Sequence, residues 1–486
     1  MSQHTITNQN YIAGVWTTAQ SEQTFEVLNP ANQGVIAHVP DSDASDASAA
    51  VDAAHQAFLT WRLVPARKRA QYLKAWHALI LANLDTLAGL ISLEQGKPLA
   101  EAKGEISYAA SYVEWFAEQA PRIEGDLIES PVVGRKMMAI KEPVGVTAVI
   151  TPWNFPAAMI TRKIAPALAA GCTVVAKPAE DTPLTSLALV KLAEVAGIPS
   201  GVINIVCSSR NNTPAMVNNW LQDSRVRKIS FTGSTPVGKH LAQASAATLK
   251  KLSLELGGNA PFIVFEDADL DAAVSGLMAA KFRNGGQTCV CPNRVYVQAK
   301  VYDEFAAKLV EKVRALKVGP ASELDSEIGP MINERAVDKI LSHIDDAVQK
   351  GARVLVGGNR VRISDGPNYI APTVLGNVSK NAVLCQEETF GPVAPLFCFD
   401  NEQEVIEQAN DTPFGLAAYF YSENVSRIWR LASALETGIV GINEGAIAAD
   451  SAPFGGVKES GYGREGSKYG LDDYLHIKYL CQGNLS

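Results

Sequence analysis

The segment NGGQTCVCPNR, residues 284–294, sets Cys289 in a loop of glycine and polar residues. Protein cores rarely hold such a run, so the usual reading of a cysteine as an inert buried thiol weakens, and a nucleophile becomes a serious candidate. Cys291 follows two residues later, but no second cysteine or histidine cluster flanks the pair, so a metal site is not supported. Glu255, in LELGGNAP, stands between Leu254 and Leu256. A carboxylate wedged between apolar residues loses water and its pKa rises, which suits a general base. A strand-end glutamate facing solvent is the alternative. TPWNFP, residues 151–156, holds Trp153 and Asn154 between two prolines. An amide on that rigid corner has two uses, donating to a developing oxyanion or capping the next helix.

Two further segments have the chemistry of nucleotide contact. GSTPVG, residues 233–238, follows the strand-like RKISF. A glycine turn from strand to helix brings backbone N–H groups close to a pyrophosphate, although the full G-x-G-x-x-G spacing is missing and an ordinary turn remains open. In AKPAED, Lys177 and Glu180 sit just after another apolar strand. Glu180 has the acceptors for two ribose hydroxyls and the charge to repel a 2′-phosphate; a plain surface ion pair is the alternative.

These residues need a scaffold, and the chain has one. Its 486 residues leave room for two or three domains, and 47% hydrophobic with 19% charged residues fits an ordinary globular protein. The 43 basic and 51 acidic residues give a net charge of −8, which argues against nonspecific nucleic-acid binding. Seven scattered cysteines fit a reducing compartment. The N-terminus lacks a basic segment followed by an apolar one, and the apolar stretch 144–150 is too short for a bilayer. Cytoplasmic localisation without membrane or nucleic-acid partners is the expectation. The first third reads as helical, over 49–62, 66–95 and 100–118, after a strand region near 11–16. From residue 144 onward short apolar strands alternate with helices through Gly and Pro joints, the pattern of parallel α/β structure. A second α/β unit starts beyond the glycines at 254–258. The alternating segment 121–141 breaks the rhythm and reads as a hairpin, either on the surface or reaching away from the body.

TPWNFP, AGCTVVAKPAE, FTGSTPVG, LELGGNAP, GGQTC, EETFGP, PFGL and PFGGVKESGYGREG occur in one order and spacing. Together they resemble the NAD(P)-dependent aldehyde dehydrogenase superfamily over nearly the whole chain. MITRK, KFRNGGQTCVCPNR, INEG and GREGSKYGLDDYLHIKY resemble its succinate-semialdehyde dehydrogenase branch. The resemblance implies an α/β fold with a Rossmann-like coenzyme domain (1–121 and 142–254), an α/β catalytic domain (255–465), and an arm and tail (122–141 and 466–486) that join a homodimer or homotetramer. It implies that Cys289 is the nucleophile, Glu255 the base and Asn154 the oxyanion donor together with the Cys289 N–H. It implies NAD, with NADP as the second choice, held by Trp153, Lys177, Glu180, Gly233, Ser234, Glu388 and Phe390. No metal is required. A nonenzymatic module that kept the fold is opposed by the intact Cys289, Glu255, Asn154 and Glu388.

The branch resemblance also implies a small anionic aldehyde. Arg162 in ITRK and Arg283 in KFRN match the arginines that hold a distal carboxylate, and a guanidinium makes two parallel hydrogen bonds to such a group. The chain departs from the branch at Ala448, where a serine is usual. Succinate semialdehyde is the first expectation; glutarate semialdehyde, sulfolactaldehyde and a general aldehyde are the alternatives. Relatives also carry the Cys289–Cys291 pair, which suggests a reversible disulfide, although an extended backbone there would have to bend.

Overall fold

The computed structural model describes residues 7–363 and 366–485. The N-terminal reading on targeting falls partly on residues 1–6, outside the described residues. The strands of the two central cores are numbered β1 to β10 in chain order. The first core contains β1 (Val146–Ile150), β2 (Thr173–Lys177), β3 (Ile203–Ile205), β4 (Val226–Thr232) and β5 (Lys251–Glu255). They are parallel and lie in the order β3-β2-β1-β4-β5. β1 (VTAVI) and β2 (TVVAK) are buried at every position, as a strand covered on both faces must be. Two short N-terminal strands, Asn10–Ile12 and Val15–Thr17, extend one edge, and Gly461–Tyr462 returns from far along the chain to the other.

The crossovers obey simple end rules. Helix α2 (Pro156–Ala170) begins with proline in its first turn and stops at Gly171, whose φ of 98° is left-handed. Helix α1 (Leu99–Gln119) packs against α2, with Tyr112 and Phe116 fully buried between the layers. Helix α3 (Thr235–Ser245) follows β4. The stretch read as one helix over 66–95 is two, Ala66–Ala82 and Leu84–Gln95, bent by 72°. Asn83 makes the break: its amide donates to the Leu79 carbonyl at 2.8 Å and competes with the helix ladder. The antiparallel strands Thr24–Leu28 and Val35–Pro40 were not foreseen; their mixed burial leaves a weak alternation.

The second core repeats the plan. Its strands are β6 (Ala260–Val264), β7 (Pro292–Gln298), β8 (Val393–Phe399), β9 (Ala417–Tyr421) and β10 (Ile439–Ile442), in the order β8-β7-β6-β9-β10, all parallel. Helix α4 (Glu334–Gln349) covers this sheet, and helix α5 (Val425–Ala434) follows β9. The segment 121–141 does contribute to a separate sheet. Asp126–Ile128, Lys136–Pro143 and the C-terminal Leu475–Gln482 form three antiparallel strands with Leu127 and Ile477 exposed at 81% and 71%. Among the described residues no single helix is long and apolar enough to cross a membrane.

Candidate active site

In an open parallel sheet the crevice opens where the strand order reverses, here between β1 and β4. The corner Thr151–Pro156 leaves β1, while Gly233 and Ser234 leave β4. These two turns form one side of a cleft of about 300 Å³ whose other lining includes Cys289, Lys339, Glu388 and Phe390. Gly233 is needed for space: a Cβ there would lie 2.4 Å from the Phe231 ring. Ser234 caps α3 without a side-chain hydrogen bond, so the first amides of that helix are left for other acceptors. Trp153 and Phe390 meet edge to face at 5.6 Å, with Phe390 held at a φ of 57°, a strained value for a bulky residue.

At the end of β2, Lys177 Nζ lies 3.0 Å from Glu180 Oε2. A residue that the sequence did not single out joins them: Arg210 Nε donates to Glu180 Oε1 at 3.1 Å. Burial alone would raise the Glu180 carboxyl, but Lys177 and Arg210 outweigh it and hold it at about 2. The strand end thus offers a permanently ionised acceptor between two cations, and the helix start offers open amides. That donor and acceptor set fits a dinucleotide.

Cys289 lies half-buried just before β7, after a tight turn in which Asn284 and Gly285 both have positive φ. Gly258 lets the turn approach, since a Cβ there would lie 2.4 Å from the Cys289 carbonyl oxygen. Gly286 does the same against the Gly391 carbonyl at 2.2 Å. Burial pushes the thiol up to about 12, and the carboxylates Glu388 and Glu255 add to this while Arg162 opposes it. Glu255 ends β5, is 1% exposed, and neither carboxyl oxygen has a hydrogen-bond partner. Burial raises its pKa well above the carboxylate range; Glu465 pushes the same way, and Arg162, Lys163 and Arg464 relieve it only in part. The desolvation expected from its apolar neighbours is therefore present. Desolvation in the cleft also pushes Glu388 up to about 7, despite the Gly258 N–H at 3.4 Å.

Asn154 is buried, and its Nδ2 donates to the Gln287 carbonyl at 2.9 Å, which ties the β1 corner to the Cys289 loop. The two arginines have unequal settings. Arg162, on α2, is 2% exposed, ion-paired with Glu465 and stacked 4.7 Å above the Phe454 ring; its Nη2 has no hydrogen-bond partner. Arg283 is exposed, over the Phe155 ring at 4.9 Å. Cys291 is buried with its thiol on the Lys281 carbonyl at 3.4 Å, and both it and Cys289 are free. Among the described residues no group of three or more His, Cys, Asp and Glu side chains is placed to hold a metal. Glu465, three hundred residues from its partner in sequence, had no signal beyond its place in the quoted GREG motif.

The profile of the Aldehyde dehydrogenase family matches residues 16–480. The chain belongs to the aldehyde dehydrogenase family. It is an oxidoreductase with that family's fold and with a cysteine in its cleft. It is 55% identical over 475 residues to a succinate-semialdehyde dehydrogenase [NADP(+)] of Escherichia coli (strain K12), covering 98% of each chain. It is also 55% identical over 473 residues to a glutarate-semialdehyde dehydrogenase of Pseudomonas putida, covering 97% of each. A solved succinate-semialdehyde dehydrogenase from Burkholderia pseudomallei superposes with a TM-score of 0.97 at 53% identity, covering 99% of both chains.

Proposed function

We propose that this aldehyde dehydrogenase oxidises a semialdehyde with an anionic far end, succinate semialdehyde first, to the carboxylic acid, with NAD(P) as acceptor. The carrying observation is one cleft that brings the half-buried Cys289 thiol, the Asn154 amide and the switch-point turns together. Trp153, Gly233, Ser234, Glu388 and Phe390 would hold one half of the dinucleotide, and Lys177 with Glu180 the adenosine ribose. Bound NAD(P) supplies the hydride acceptor. Glu180 favours NAD, because its fixed negative charge meets a 2′-phosphate, and Arg210 softens that preference.

The Cys289 thiol gives up its proton to solvent and the sulfur bonds to the aldehyde carbon. The carbonyl electrons move to oxygen, where the second Asn154 N–H and the Cys289 backbone N–H stabilise the charge. As the C=O bond re-forms, the carbon's hydrogen leaves with its electron pair, and a thioester on Cys289 remains. Glu255 then takes a proton from water, the hydroxide adds to the thioester, and the acid departs as Glu255 passes that proton to the leaving sulfur. Because Glu255 is buried without a partner, it needs little rearrangement to accept that proton.

Arg162 and Arg283 are assigned to the distal anion; the unpartnered Arg162 Nη2 supports this, and the Arg162–Glu465 pair would fix the guanidinium. Residues 1–121 with 142–254, and 255–465, are assigned as coenzyme and catalytic domains. The exposed three-stranded sheet is assigned to homo-oligomer contact. A kcat/KM panel of succinate semialdehyde, glutarate semialdehyde, sulfolactaldehyde, butanal and benzaldehyde tests the reading, each with wild type and Arg283→Ala. Anionic aldehydes should lose about tenfold or more on substitution and neutral ones little. Equal rates for butanal and succinate semialdehyde with wild type would make the protein a general aldehyde dehydrogenase.

A further inference from the structure

The corner that carries Asn154 is gripped from behind by groups that no step of the proposed reaction uses. The Asn154 backbone carbonyl accepts hydrogen bonds from Lys97 Nζ at 3.0 Å and from Asn284 Nδ2 at 3.0 Å. Lys97 precedes α1 and is 2% exposed. An ammonium so far from water is tolerated only with close compensation. Glu105 Oε2 lies 2.5 Å away, and the Phe155 ring centroid lies 3.8 Å away.

Glu105 reaches further. Its Oε1 accepts from the N–H groups of Ala157 at 2.9 Å and Ala158 at 3.3 Å, in the first turn of α2. One buried ion pair therefore holds the corner on both sides, Lys97 at residue 154 and Glu105 at residues 157–158. The same lattice extends to the nucleophile loop. Asn284 Nδ2 also donates to the Gln287 carbonyl at 3.3 Å, which is the acceptor of the Asn154 side chain. Gln95, two residues before Lys97, donates to Asn284 Oδ1 at 3.1 Å.

A carbonyl fixed by two donors fixes its peptide plane, and with it the base from which the Asn154 side chain projects. One amide N–H is spent on Gln287, so the direction of the other follows. We propose that Lys97, oriented by Glu105, is a positioning residue that sets the Asn154 amide relative to Cys289. The proposal rests on Asn154 as the oxyanion donor. A donor aimed at a developing charge works only in place, and a displacement of about 1 Å costs on the order of 100-fold in rate.

The test is a double-mutant cycle between Lys97→Met and Asn154→Ala. Lys97→Met should lower kcat by about 100-fold, with KM for the aldehyde changed by less than about threefold. In the Asn154→Ala background the same substitution should cost under about threefold, because there is no amide left to aim. Iodoacetamide should alkylate Cys289 at the wild-type rate, since the thiol is not what moves. Lys97→Met/Glu105→Gln removes both charges while keeping an acceptor for the α2 amides, and serves if the single variant does not fold. An unchanged kcat, or equal losses in both backgrounds, would overturn the proposal. If Asn154→Ala alone turns over normally, the oxyanion assignment falls, and a crystal structure of Lys97→Met decides the positioning. It fails if the Asn154 amide stays on the Gln287 carbonyl.

Discussion

The two cores have the same strand order, β3-β2-β1-β4-β5 and β8-β7-β6-β9-β10, yet the residues at their two switch points are partnered differently. In the first, Gly233 and Ser234 leave β4 without a filling side chain or a capped helix. At the equivalent place in the second, between β6 and β9, stands Asp267. Its carboxylate accepts from the Ser422 hydroxyl at 2.9 Å, the Asn424 N–H at 3.0 Å and Arg427 Nη1 at 2.6 Å. The Asn424 side chain caps α5 through the Arg427 N–H. Both crevices have the topology of a ligand site, but polar groups left without partners occur at one and self-satisfied groups at the other. Topology offers the place, and the residues decide whether chemistry follows.

The largest effect should come from the unpartnered side. Cys289→Ala should abolish turnover, by about 10⁴-fold or more, while the folding stability changes by less than ~1 kcal/mol at a half-buried site. Retention of a tenth of wild-type kcat would mean that the cleft works without its thiol. Next is Glu255→Gln, expected to cost about 10²- to 10³-fold in steady state while a first burst of hydride transfer survives. The raised Glu255 pKa gives the sign of the pH dependence: the base form appears only as pH climbs above the usual carboxylate range, so thioester hydrolysis speeds up with rising pH. A hydrolysis rate that is flat across that range, measured by stopped flow, would remove Glu255 as the base.

Gly233→Val probes the open turn more gently. The new side chain must displace the Phe231 ring, which a Cβ already approaches to 2.4 Å. Coenzyme binding should weaken by about tenfold, or ~1.4 kcal/mol, with aldehyde chemistry at saturating coenzyme nearly intact. Calorimetric titration with NAD reads this directly, and an unchanged Kd would show that the β1–β4 crevice is not the coenzyme site.

Much of this contrast was legible in the residues. Short buried strands joined by Gly and Pro announced the alternating α/β plan, and the paired glycines of NGGQTC announced a special turn, although its polar residues Asn284, Gln287 and Thr288 are buried, against the expectation that cores rarely hold such a run. Glu255 was readable because Leu254 and Leu256 predict the burial that raises it. What spacing could not carry was long-range pairing. Arg162 meets Glu465 and Asn154 meets Lys97 only after the chain has folded, and neither Glu465 nor Lys97 lies in a local pattern that names its partner. Arg210 was missed for the same reason, since its link to Glu180 crosses from the end of β3 to the end of β2.

The second crevice provides the smallest and most discriminating test. Asp267→Ala removes the acceptor of three donors, but Arg427 keeps Glu402, whose Oε2 lies 3.3 Å from its Nε. Asn424 still caps α5 from its own side chain. Asp267 and Arg427 are both partly solvated, so screening limits the loss. Stability should fall by about 1–2 kcal/mol, read from urea unfolding, with coenzyme Kd and kcat within about twofold of wild type. The opposite pattern, intact stability with tenfold weaker coenzyme binding, would mean that the second crevice also takes part in ligand capture. Two cores of one topology would then share the function that the partnered Asp267 cluster assigns to the first alone.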